Sequence, residues 1–254
     1  MKKQYTDDIV NAIEAVYGDT FLSQGNKDSV IAMLLDMELN NKTCLDIGCG
    51  LGGPSLALAE QFPTLNITGI DVDADLVSRA NITAQSSKAA HRIEFRAVTP
   101  EPALPFPDQS FDTIFGKESW LHIPDKRAFF KECHRVLKKG GTLITLDWMH
   151  SNAEYSDLMK TFVHADGLMF HLTTIDEYLQ LLKEAQFHIV HSIDNSAQAL
   201  RHTRDNVELI KQSKAELIER FGEEHYHIYL DSWSMQVKIF ETGEMQTYLI
   251  HAIK

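Results

Sequence analysis

The chain predicts a doubly wound α/β domain, a mostly parallel sheet with helices on both faces. Two observations carry this. Short buried strands alternate with helical stretches along the first half, and a glycine-rich turn follows the first strand. Size agrees, because 254 residues with 44% apolar side chains can fill one large core without a metal or disulfide staple.

Ile9, Ile13, Val16 and Tyr17 recur at helical spacing, so residues 8–17 read as a helix that Gly18 ends. A second amphipathic stretch covers 28–37, and Thr43-Cys44-Leu45-Asp46-Ile47 reads as a short buried strand. A helix over 55–61 stops at Pro63, a second strand covers 66–71, and a helix follows over 73–86. Strands over 92–98 and 111–115 come next, then a helix over 126–137. The turn Lys138-Lys139-Gly140-Gly141 leads into a fifth strand over 142–146. Thr173 or Thr174 can cap a helix over 175–185, with Asp176 and Glu177 complementing its dipole. A sixth strand over 187–193, helices over 197–221 and 224–240, and a seventh strand over 246–253 complete the chain. The expected organisation is one domain over 1–254. Residues 1–40 would be helices covering the site, 41–193 a ligand-binding core, 194–243 a helical lid insertion, and 244–254 the final strand.

Composition excludes several classes. The net charge is −12 and no run of Lys and Arg occurs, so nucleic acid and anionic membranes are not expected partners. No apolar run reaches the roughly 18–20 residues that span a bilayer. The first residues turn acidic at once and lack a signal-peptide core, so a cytoplasmic location is expected. Cys44, Cys49 and Cys133 are odd in number and lack ligand spacing, which argues against a disulfide framework and a zinc site. The histidines are scattered. The pairs His188/His191 and His225/His227 have no carboxylate or cysteine company and read as surface or packing residues, so no metal is expected. A small-molecule substrate is the expected partner, and oligomeric state leaves no mark in the sequence.

The strongest local signal is Asp46-Ile47-Gly48-Cys49-Gly50-Leu51-Gly52-Gly53. Glycines there let backbone approach a ligand closely, and the helix they open turns its N–H groups toward it. Asp71 ends the second strand, where a carboxylate can accept both hydrogen bonds of a ribose diol. Gly48, Gly50 and Gly53 also spell the dinucleotide fingerprint, which makes a nicotinamide-dependent oxidoreductase the rival from another class. Asp46 separates the two. An acid beside a pyrophosphate is badly placed, whereas it suits a cofactor with an ammonium group and no phosphate, as in S-adenosylmethionine.

Asp46 to Gly53, Gly69-Ile70-Asp71, Leu104 to Asp112 and Arg135 to Thr142 together resemble the class I S-adenosylmethionine-dependent methyltransferases. That resemblance implies a Rossmann-like sheet of order 3-2-1-4-5-7-6 with the last strand antiparallel. It also implies that Gly48 and Gly50 line the methionine portion and that Asp71, with Val72 beside it, holds the ribose side, while Asp46 counts among the cofactor residues on its charge. The family often has an acid after the third strand for the adenine amine. Here Val98-Thr99-Pro100-Glu101 stands in its place, so Thr99 or a backbone group must substitute.

A closer resemblance spans nearly the whole chain. Gln4-Tyr5-Thr6-Asp7, Tyr17 to Gly25, Glu118 to His122 and Leu230 to Trp233 look like the phosphoethanolamine N-methyltransferases. The helical second half also looks like the glycine, sarcosine and dimethylglycine N-methyltransferases. The resemblance makes Tyr5 and His122 a catalytic pair over the amine and sets Leu22, Ser23 and Lys117 against the cofactor. Gln4, Glu118, Trp148, Phe170 and His171 are then substrate residues, with Glu118 able to hold an ammonium and Trp148 the best cation–π face. Trp120 and Trp233 read as core. The family's phosphate-gripping arginine, tyrosine and lysine fall at Leu168, Phe170 and Gln236, which cannot hold a dianion. His164, His171, Arg201 or Arg204 could instead meet a carboxylate. The expected reaction is methyl transfer to the nitrogen of a small amine other than phosphoethanolamine. The cofactor motifs leave O- or C-methyl transfer open within the same fold.

Overall fold

The computed structural model describes residues 5–34, 37–101, 103–151, 154–165 and 169–254. Strands β1 (Thr43–Ile47), β2 (Asn66–Asp71), β3 (Ile93–Ala97), β4 (Phe111–Lys117), β5 (Leu137–His150), β6 (His188–Asp194) and β7 (Met245–Ile253) form one seven-stranded sheet. Its order is β3-β2-β1-β4-β5-β7-β6. The first five pair in parallel, while β7 runs antiparallel to both β5 and β6. Order and reversed last strand are those the resemblance implied.

The helices are α1 (Asp7–Tyr17), α2 (Lys27–Ala32), α3 (Gly53–Gln61), α4 (Ala74–Gln85), α5 (Lys126–Val136), α6 (Asp157–Ala165), α7 (Ile175–Glu184), α8 (Ser196–Gln212), α9 (Lys214–Phe221) and α10 (Glu223–Glu241). Thr6, Asp73, Asp125 and Thr174 each accept a first-turn N–H, so these helix starts are written in short polar side chains. The pleat sorts side chains to two layers. Cys44, Ile67, Phe115 and Ile144 pack with α2, α3 and α4, whereas Leu45, Ile70, Ile114 and Leu143 pack with α5 and α7. Truncating a fully buried member such as Leu45 to alanine costs about 2–5 kcal/mol. A third cluster joins Ala12 and Val16 of α1 to Val207, Leu217 and Trp233 of the C-terminal helices. The N-terminal helix is thereby held against the block between β6 and β7.

Four expectations need correction. The second amphipathic stretch is helical only to Ala32, after which Met33 and Leu34 bond three residues back. The long helix expected over 197–221 is broken at Ser213, whose ψ of 13° turns the axis. The fifth strand begins earlier and ends later. Leu137 already pairs with Phe111 and Thr142 with Thr113, so Lys138 to Gly141 form an excursion within β5 rather than a turn before it. Beyond Leu146 the strand continues because β7 lies alongside as far as His150. Helix α6 has no counterpart in the sequence reading. Among the described residues no helix is long and apolar enough to cross a membrane.

Candidate active site

The sheet reverses direction of winding between β1, which neighbours both β2 and β4, and the crevice there lies at the carboxyl ends of these strands. The glycine turn fills its floor. Gly48, Gly50 and Gly52 have φ of 80°, 52° and 83°, a region L side chains rarely adopt. The N–H groups of Gly48 and Cys49 bond to the Ile70 carbonyl at 2.8 and 3.1 Å. That of Gly50 donates to Asp71 Oδ2 at 2.9 Å, and Asp73 N–H donates to Asp71 Oδ1 at 3.0 Å. Asp71 therefore clamps the turn to β2 and keeps further lone pairs for a diol. Val72, the next residue, is an apolar side chain left 58% exposed, and Thr99 lies exposed beyond β3. These features fit an adenosine-bearing ligand: backbone without Cβ atoms, a carboxylate edge and an uncovered apolar face. Asp46 is buried at the end of β1, where Ser55 Oγ donates to it at 2.6 Å. Burial pushes its carboxyl up to about 7, Ser55 opposing, so a neighbouring cation would favour its ionised form.

Lys117, at the end of β4, is buried. Its ammonium donates to Ser23 Oγ at 2.9 Å and to the Gln24 carbonyl, and stands 3.6 Å from Glu118. Burial lowers its pKa, and Glu118 opposes the shift. Glu118 Oε2 accepts from Gln24 N at 3.1 Å, and Gln24 Nε2 donates to Thr203 Oγ1 at 2.9 Å. One glutamine thus ties the N-terminal segment to β4 and α8. Glu118 itself has φ of 51°, a strained conformation for a residue with a side chain. Leu22 packs over Gly50, where an added Cβ would come within 3.1 Å of it.

A cavity of about 290 Å³ opens beside this network, with Glu118, His122 and Tyr5 in its wall. His122 belongs to a single 3-10 turn, Trp120–His122. Its Nδ1 lies 2.8 Å from the Met169 carbonyl and its Nε2 lies 3.2 Å from Tyr5 Oη. A carbonyl only accepts, so Nδ1 carries the proton and Nε2 presents a lone pair to the tyrosine hydroxyl. Burial lowers the imidazole pKa, the Met169 bond opposes this, and Lys126 and His171 add to the lowering. Phe170 stacks on His122 with centroids 5.4 Å apart, and Phe162 and Trp148 continue the aromatic wall.

Lys126, buried at the start of α5, holds this wall in place. It donates to the Ile123 carbonyl at 3.1 Å and the His171 carbonyl at 2.6 Å, and its charge acts on buried Asp147. Asp147 Oδ1 accepts from Trp148 N at 3.0 Å, and burial pushes its carboxyl up to about 7.

The structure thus brings together Tyr5, Leu22, Ser23, Lys117, Glu118, His122, Trp148 and Phe170, and separately Asp46, Gly48, Gly50 and Asp71. It corrects others. His171 does not line the cavity; its backbone serves Leu121 and Lys126. Arg204 pairs with Glu241 on the surface at 2.6 Å, and Arg201 is exposed, so neither meets a substrate in this cavity. His225, read as surface or packing, is exposed yet lines the cavity, as does buried Trp233. Trp120 is core, and its Nε1 donates to the Ile47 carbonyl at 3.0 Å. Gln4, Leu168 and the His164 side chain lie outside the described residues. The sequence reading missed Ser55, Gln24, Thr203, Lys126 and Asp147 as parts of the site. Nothing local marks them, since each acquires its role from a partner on another element.

Sheet order, reversed last strand and glycine turn are those of a Rossmann-like methyltransferase. The family described as "Methyltransferase domain" matches residues 38–186. Phosphoethanolamine N-methyltransferase of Plasmodium falciparum is 30% identical over 242 residues, which cover 92% of this chain and 87% of the relative. That of Triticum aestivum is 29% identical over 245 residues, 96% of this chain but 47% of the relative. The chain spans about half the length of the plant relatives it matches. Among solved structures, phosphoethanolamine N-methyltransferase 2 of Haemonchus contortus, in complex with phosphomonomethylethanolamine and S-adenosylhomocysteine, is similar in fold. It has a TM-score of 0.92 at 22% identity over 100% of this chain and 59% of that one. The chain belongs to the methyltransferase domain family, which uses S-adenosylmethionine.

Proposed function

We propose that the chain transfers a methyl group from S-adenosylmethionine to the nitrogen of a small amine that carries no phosphate. The observation that carries this is the cavity wall. Tyr5, His122 and Glu118 stand together at it, and no Lys or Arg is among its described lining residues. When bound, S-adenosylmethionine supplies an electrophilic methyl group on a sulfonium. Asp46, the glycine turn and Asp71 would hold the cofactor, with Leu22, Ser23 and Lys117 closing over it. Glu118 would hold the amine as an ammonium. Attack needs a free lone pair, so a proton must leave nitrogen. Tyr5 oxygen is the acceptor next to the cavity, and it can take that proton as its own passes to His122 Nε2. The pair then acts as a relay, and alignment of nitrogen with the methyl group contributes much of the remaining acceleration.

The test is incubation with S-adenosylmethionine and a panel of amines, with the product mass and the methylated atom read by mass spectrometry and NMR. A methylated nitrogen supports the reading. Methylation at oxygen or carbon alone, or turnover of phosphoethanolamine at micromolar KM, would overturn it.

Lys126 supplies a second check. Lys126→Met should loosen the carbonyls of Ile123 and His171 that frame His122, and so lower kcat on the order of 10-fold or more. Because the Lys126 charge depresses the His122 pKa, its removal should also move the acid limb of the pH–rate profile to higher pH. A limb that stays in place, with only thermal stability reduced, would make Lys126 a packing residue.

A further inference from the structure

We propose that the methyl acceptor is an amine whose remaining body is uncharged and apolar, an alkyl or aryl amine. This rests on the amine-methylating reading of the same site. Of the charged residues that line the cavity among those described, Asp8 and Glu118 are both acidic. An anionic tail, whether phosphate or carboxylate, would be desolvated beside two carboxylates, with no lysine or arginine among the described lining residues to meet it; the nearby Lys117 already stands 3.6 Å from Glu118.

The walls show what the tail should be instead. The cavity is bounded by Trp148, Phe162 and Phe170, which pack in one cluster, and by Tyr229 and Trp233 of α10, which pack with Ile13 of α1 in another. Phe162 and Phe170 stack with rings 2° from parallel, and Trp148 tilts against both, so this side is a continuous aromatic face. Such faces favour apolar groups and alkylammonium cations alike. The neutral polar groups of the lining include Thr6, Ser232, Gln236 and the hydroxyls of Tyr5, Tyr17 and Tyr229, which suit a hydroxyl or ether on the tail.

The experiment is calorimetric titration of the full chain, saturated with S-adenosylhomocysteine, with 2-phenylethylamine, ethanolamine, phosphoethanolamine, sarcosine and 2-phenylethanol. The proposal expects 2-phenylethylamine to bind at least tenfold tighter than the three other amines. Phosphoethanolamine or sarcosine binding as tightly overturns it, as does ethanolamine binding as tightly, because the apolar body would then contribute nothing. Equal binding of 2-phenylethanol strikes the amine-holding role of Glu118 and leaves the apolar tail standing. Should the binding order hold while no amine is methylated, the reaction fails and the acceptor class stands. Trp148→Ala should weaken 2-phenylethylamine about tenfold, with Trp148→Phe recovering most of the loss. An unchanged affinity in the alanine variant removes the aromatic face from recognition.

Discussion

Replacing His122 by alanine is expected to lower kcat by about 10²- to 10⁴-fold with little change in KM for the amine. The size follows from the geometry. The Met169 carbonyl fixes the tautomer, leaving the Nε2 lone pair as the base toward Tyr5. Burial lowers the imidazole pKa, which favours the neutral form that serves as base. The sign is then set. The base form is complete above the depressed pKa and lost as pH falls through it, so the acid limb of the rate profile should lie below that of an exposed histidine. Tyr5→Phe should cost nearly as much if the two residues relay one proton, because groups acting as a unit fail together. A much milder Tyr5→Phe would mean that the tyrosine only orients the ring. Steady-state and single-turnover kinetics across pH separate these outcomes, and wild-type rates in both variants would remove the pair from the mechanism.

The second large effect is expected from Gly48→Ala. At φ of 80° an L side chain costs about 1–2 kcal/mol. A Cβ would also come 2.4 Å from Ser119 Cβ and 2.7 Å from its Oγ. Ser119 cannot simply move away. Its hydroxyl donates to the Ile47 carbonyl at 2.9 Å, and the next residue, Trp120, donates to the same oxygen at 3.0 Å. Either the turn or the segment that carries Glu118 must shift, so cofactor and acceptor sides suffer together. The variant should lose about 2 kcal/mol or more, roughly 4–8 °C in Tm. Affinity for S-adenosylhomocysteine should fall at least tenfold by calorimetry. Gly140→Ala is the control. Its φ is 74°, yet an added Cβ would meet nothing within 4 Å, so it should show a smaller loss of stability and unchanged ligand affinity. Equal behaviour of the two variants would leave backbone strain as the only cause.

What the amino-acid order could show is local. β1, the glycine turn and the acids at 46 and 71 lie within one strand–turn–helix–strand segment, where composition and spacing state both the bend and the charge. The Tyr5–His122 bond joins residues 117 apart and was reachable only through resemblance to a family. Gln24 and Thr203 are 179 apart, and no periodicity announces their meeting. The break at Ser213 was hidden for another reason, since one residue with a non-helical ψ leaves the apolar spacing on either side intact.

The sequence by itself determined the doubly wound class and the place of the glycine turn after the first strand, because hydrophobic pattern and turn chemistry are properties of neighbouring residues. Only the tertiary structure decided that β5 runs to His150, that His171 turns its backbone to Lys126, and that the described lining of the cavity gathers Trp148, Phe162, Phe170, Tyr229 and Trp233 beside Asp8 and Glu118 with no lysine or arginine among them. Those outcomes depend on which distant elements pack together, and a carbonyl, a ring or a carboxylate acquires its role from a partner that lies far along the chain.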